Sequence, residues 1–156
     1  MPLFKIVSRI FLINVFLISS VHAASAIKID NAWSPEAPPV AKVMAGYMTI
    51  HNLGAKDTQI KSAKSTLFKR VEIHLTEMDN GMMRMIKEDN LTIPAKSAVE
   101  LKPGGLHMML IGKLKDVKAG SAIPVTVTFA NGEHVEIKLM VKLDDIPQML
   151  HEHHHH

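Results

Sequence analysis

The stretch "RVEIHLTEMDNGMMRMIKE", residues 70–88, decides how the chain is read. Its first nine residues alternate in character. On an extended strand Val71, Ile73 and Leu75 fall on one face, and Glu72, His74 and Thr76 on the other. Asp79-Asn80-Gly81 is a tight-turn signal, and residues 82–88 return along the first strand. The segment is therefore predicted to be a β-hairpin. His74 stands on its polar, accessible face, and Met83 and Met85 share one face of the returning strand.

The same reading extends outward. Strand-like segments recur at 27–33, 43–52, 97–102, 106–113, 122–130 and 133–142. Between them lie the proline-rich loop "SPEAPPVAK" (34–42) and the turn signals "NLGAKD" (52–57), "PGG" (103–105) and "NG" (131–132). No stretch carries a capped helical stripe, and no repeat or domain linker is visible. The expectation is an all-β single domain, a sandwich or small barrel, over residues 24–143.

The two ends read differently. Lys5 and Arg9 precede an apolar run from Ile10 to Val21, followed by small residues, the layout of a secretory signal peptide. The run is shorter than the ~20 residues of a permanent membrane anchor. Cleavage fits after Ala23 or Ala26, and Ala23 is preferred, so residues 1–23 are expected to be removed and the protein to work in the periplasm. The remaining 133 residues suffice for one domain with a real core. They carry a formal charge of about +1, because the segment takes Lys5 and Arg9 with it. No basic block suggests nucleic acid.

There is no cysteine. That excludes disulfides, thiol redox chemistry, thiolate metal sites, a blue-copper centre and a lipid-modified N-terminus. Methionine is plentiful, at 11 residues. In "GGLHMMLIG", residues 104–112, His107 and Met109 share one strand face and Met108 packs on the other. A strand methionine is most often core filler, the reading kept for Met44, Met48 and Met140. His51 and His134 read as solvated. Two soft donors on one face beside a turn are less ordinary. Thioether sulfur needs no deprotonation, and with imidazole it suits a soft monovalent ion such as Cu(I). Zinc favours cysteine, histidine or carboxylate, and hard cations favour oxygen.

Ten residues separate His74 from Met85, twenty-one separate Met85 from His107, and one separates His107 from Met109. This spacing, with "VEIH", "DNGMMRM", "PGGLHMMLIGKL", "NAWSPEAPP" and "AGYMTIHNLG", resembles the periplasmic copper chaperone family PCu(A)C over residues 27–142. The resemblance implies a cupredoxin-like β-sandwich or barrel that binds one Cu(I), with His74, Met85, His107 and Met109 as ligands. Family members often have methionine directly after the first histidine, where this chain has Leu75. The resemblance also implies delivery to the CuA centre in cytochrome c oxidase subunit II, beside an Sco-type thiol protein. The expected molecule is a monomer, not an enzyme, with no nucleic-acid partner and no permanent membrane anchor.

Two other readings share the sequence: a copper tolerance or storage protein with the same site, and a structural exported β-sandwich whose methionines only fill space. The tail, residues 144–156, reads as disordered. Its "MLHEHHHH" is either an affinity-tag remnant or, as preferred, native. If native, Met149, His151, His153, His154, His155 and His156 offer a flexible second site suited to Cu(II). "NLT" at 90–92 matches a glycosylation acceptor and is read as chance.

Overall fold

A computed structural model of the chain describes residues 25–143. The signal segment (1–23) and the His-rich tail (144–156) lie outside the described residues. Ten strands and no helix are present among those described. They are β1 (Ile27–Pro35), β2 (Val43–Asn52), β3 (Thr58–Lys64), β4 (Phe68–Asp79), β5 (Met82–Lys87), β6 (Thr92–Ile93), β7 (Ser97–Leu101), β8 (Leu106–Lys113), β9 (Ala122–Phe129) and β10 (His134–Lys142).

Seven strands close a barrel in the order β4-β8-β2-β1-β10-β9-β3, with β3 returning to β4 at Ala63↔Val71. All neighbours are antiparallel except β1 and β10. Outside the ring, β5 extends β4, β6 pairs β3 and β7 pairs β2. This is the expected cupredoxin-like barrel.

Period-two burial builds the core. Met44, Met48 and Ile50 of β2 point inward with Val71 and Ile73 of β4, Met108 and Leu110 of β8, Val125, Val127 and Phe129 of β9, and Leu139 of β10. Fully burying one such large side chain contributes about 1.5–3 kcal/mol, so this interior is the main stabilising term.

Three details differ from the sequence reading. Strand β3, which closes the ring, was not anticipated. Only Thr58 and Ile60 of "TQIKSAK" are buried, too brief an alternation to stand out beside its two lysines. Met140 is 44% exposed and is not core filler, because it alternates with buried Leu139 and Val141 on β10. "PGG" is a turn, as expected, with the Gly105 N–H donating to Lys102 O at 3.2 Å, but the strands it joins do not pair with each other as a hairpin's would. β7 and β8 both run antiparallel to β2 along the same edge. Between Leu101↔Met48 and Met108↔Gly46 the chain uses seven residue steps where β2 uses two. The excess five form an excursion, and Gly104 takes its positive φ of 76°, a conformation open to glycine at little cost.

Candidate functional site

Strand β4 lies between β5 and β8, and its outward face gathers the residues singled out above. His74 stands directly opposite His107 on β8, and Glu72 opposite Met109. On the other edge Thr76 stands opposite Met85, and His74 opposite Lys87. Cross-strand partners share a face, as do residues two apart, so His74, His107, Met109 and Met85 all lie on one outer face of the sheet. Met108 points the other way and is fully buried.

The histidines are held in defined protonation patterns. Nε2 of His74 lies 2.9 Å from Glu72 Oε2. An ionised carboxylate only accepts, so Nε2 carries the proton and Nδ1 carries the lone pair. Nδ1 is buried and hydrogen-bonded to nothing among the described residues. The second ring is oriented in the converse sense. His107 Nδ1 donates to Gly105 O at 3.0 Å, leaving Nε2 as the lone-pair nitrogen. Gly105 O also accepts from the Thr76 backbone N–H at 3.2 Å, which ties the excursion to β4. The two ring centroids are 6.1 Å apart, with planes inclined by 43°.

A buried imidazole nitrogen without a partner is costly unless something fills its lone pair. One metal ion between this nitrogen and the lone-pair Nε2 of His107 would meet that need. Each histidine has its other nitrogen bonded to an oxygen, the outer-shell pattern that orients metal-ligating imidazoles. The residues present therefore fit a soft metal ion.

Access is uneven. His107 is 6% exposed although it faces outward, and the His74 side chain is 13% exposed, so His74 is less accessible than its polar strand face suggested. Met109 is half-buried and Met85 is 56% exposed. The nitrogens are thus sheltered and one sulfur is open to solvent. The hydrogen bond from His74 holds the Glu72 carboxyl below its ordinary range; the charges of Arg70 and Lys87 act in the same sense, and burial opposes them. Lys87 is itself paired with Asp89 at 2.6 Å.

No three His, Asp or Glu side chains among the described residues form a metal-holding group, so a metal here would need the sulfurs as well. The remaining candidates lie elsewhere. His51 contacts Asp30 at 3.2 Å and His134 contacts Thr128 Oγ1 at 3.0 Å, both as ordinary surface histidines. A cleft of about 850 Å³ lined by Ile29, Pro124 and Ile137 contains neither histidine nor methionine. Sequence reading missed the roles of Glu72 and the Gly105 carbonyl. The Glu-x-His pattern on one strand face was the available signal for the first. The second is a backbone atom and leaves none.

Comparison with known proteins places the family and the fold. Residues 27–141 match the family model described as "Putative lipoprotein LpqE-like". A protein of Leifsonia xyli subsp. xyli, also carrying a lipoprotein name, is 29% identical over 120 residues, covering 76% of this chain and 71% of that one. An uncharacterized Rickettsia prowazekii protein is 30% identical over 102 residues, or 65% of this chain and 56% of its own length. Among solved structures, the copper-bound PCuAC domain from PmoF2 superposes with a TM-score of 0.66 at 25% identity, covering 78% of this chain and 97% of that domain. The solution structure of Cu(I)-bound DR1885 from Deinococcus radiodurans gives 0.63 at 26% identity, with 80% and 83% covered.

Proposed function

This chain belongs to the LpqE-like family, a PCuAC-type family, and we propose on that premise that it is an exported chaperone whose cargo is one Cu(I) ion. The ligands are His74 through Nδ1, His107 through Nε2, and the sulfurs of Met85 and Met109. The observation that carries this reading is the buried, unpartnered Nδ1 of His74 across from His107. Copper in the related PmoF2 domain and Cu(I) in DR1885 support it.

The uneven exposure suits a carrier. Two neutral imidazoles and two neutral thioethers hold a soft cation without compensating charge. Met85, the most exposed donor, is the natural first ligand to leave when an acceptor approaches. The protein performs no bond-making chemistry of its own in this reading. Lipoprotein names among its relatives agree with export. This sequence has no cysteine to acylate, so the proposed route is the cleaved signal segment, with the periplasm as destination. The recipient is the CuA centre of cytochrome c oxidase subunit II. An Sco-type protein supplies the thiol chemistry that a cysteine-free chain cannot.

A bicinchoninate competition titration with Cu(I) on the chain lacking residues 1–23 tests the site. One tight equivalent is expected. His74→Ala, Met85→Leu, His107→Ala or Met109→Leu should each weaken it by at least about tenfold, or ~1.4 kcal/mol. Unchanged affinity in any of the four removes that residue from the ligand set. Truncation after Met149 should leave the Cu(I) equivalent intact and abolish a separate Cu(II) equivalent held by the tail histidines. In a deletion strain at low copper, loss of the CuA signal supports the oxidase as recipient. Copper sensitivity with CuA intact indicates tolerance or storage instead.

A further inference from the structure

Strand β4 is longer than the partner that fixes it to the barrel. Its pairing with β8 ends at Leu75↔Leu106, while its pairing with β5 continues to Asp79↔Met82. The hairpin end therefore overhangs the barrel beyond the His74–His107 pair. Asn80 and Gly81 close it with φ of 50° and 80°, both positive as a type I′ turn requires.

Exposed methionines crowd this overhang. Met78 is 68% exposed, Met83 66% and Met85 56%. Packing does not account for them, since all of β5 is exposed. Register places Met78 directly opposite Met83, and Thr76 opposite Met85. Met78, Thr76 and His74 are two residues apart in turn, so all three methionines share the outer face of the proposed copper site. The Glu88 N–H donates to Ile73 O at 2.8 Å, so odd-numbered residues of β4 direct their backbone bonds toward β5. The Met78–Met83 pair is then a non-hydrogen-bonded pair, in which Cα atoms stand about 4.5 Å apart and side chains lie closest. Met85 follows Met83 by about 6.7 Å of strand. The reverse face of the overhang carries Glu77, the Asp79–Arg84 ion pair at 3.2 Å and a single methionine, Met82.

We propose that Met78 and Met83 form a second, weaker soft-metal site on the overhang, through which monovalent copper enters and leaves the first site by way of Met85. This rests on the four-ligand reading above. Transfer is ligand exchange alone: a thioether replaces a thioether, copper stays monovalent, and no proton is released because thioethers carry none. Long, flexible methionine side chains can accept the ion from solvent or a partner before the sheltered imidazoles engage it.

The test is a titration of the full chain, labelled with ¹³C at the methionine methyls, with Ag(I) as a redox-inert soft probe. Met85 and Met109 report the first equivalent. Their silence would count against the primary ligand set, separately from anything seen on the overhang. Beyond one equivalent, the Met78 and Met83 methyls should shift together while Met82 stays still. In Met78→Leu/Met83→Leu, an exposed and apolar replacement, that second phase should vanish while the first keeps its affinity. The double variant should also release Ag(I) to an external thioether chelator several-fold more slowly. If Met82 shifts with the same apparent affinity, any exposed thioether suffices and the site is overturned. Silence of Met78 and Met83 with excess probe, or unchanged release in the double variant, overturns it as well.

Discussion

At the scale of single residues, His74 shows how its neighbours orient a proposed copper ligand. Glu72 accepts a hydrogen bond from the Nε2–H and leaves Nδ1 sheltered with its lone pair unused. The Gly105 carbonyl performs the corresponding service for His107. Both imidazoles must be neutral to bind metal, whereas the sulfurs do not titrate. Cu(I) affinity should therefore fall as pH drops through the acid range, with a limiting slope of at most about two protons per copper. A steeper slope in a competition titration would require further titrating ligands. Neighbours Met108 and Met109 offer a sharper contrast. Met108 is fully buried, so Met108→Ala should cost about 2–5 kcal/mol in urea unfolding. It should leave Cu(I) affinity nearly unchanged once the protein is folded. Met109→Leu should do the reverse, weakening copper with little loss of stability. Similar effects from both would mean that Met109 acts through packing.

At the scale of elements, the two devices that assemble the candidate site are the β4–β5 hairpin and the excursion between β7 and β8. The hairpin was legible in sequence because alternation and turn chemistry are local. Its Asn-Gly loop falls where the strands need positive φ, and the predicted turn is the observed one. Met83 and Met85 share a face for the same local reason. "PGG" was legible as a break but not as an excursion. Whether a chain reverses or rejoins the same edge depends on which strand lies beside it, and β2 is more than fifty residues away. Met140 was misread on similar grounds. Leu139 and Val141 mark the inward face of β10, but "EIKLMVK" is apolar over three consecutive residues, Leu139 to Val141, and hides the alternation.

At the scale of the whole molecule, the barrel is buried where its ring is closed and exposed where β5 hangs from β4. β5 has no neighbour on its outer edge among the described residues, and all six of its residues are exposed. β8 lies between β4 and β2 and carries the fully buried Met108 and Leu110. Native-state amide exchange should therefore be slowest in β8, β2 and β9, and faster by orders of magnitude in the β4–β5 overhang. Adding Cu(I) should slow exchange at residues near 74–76 and 83–87, because in the proposed four-ligand site Met85 would tie β5 to the ring through the metal. Protection that rises uniformly across the barrel would place the ion's effect in global stability instead.

Alternation, turn dipeptides and the His–Met spacing were determined by the sequence alone, because period two, positive φ and residue counts are properties of neighbouring residues. They predicted the all-β class, most strands, and the common face within each of the two hairpin and β8 segments. Tertiary structure decided how those faces meet. It brought β3 back to β4 to close the ring, set His74 against His107, sheltered the imidazoles on an outward face, and carried β4 past the end of β8. Each of these depends on contacts between segments far apart in the chain. Burial and register there are settled by the summed packing of all the strands, and local propensity contains no record of it.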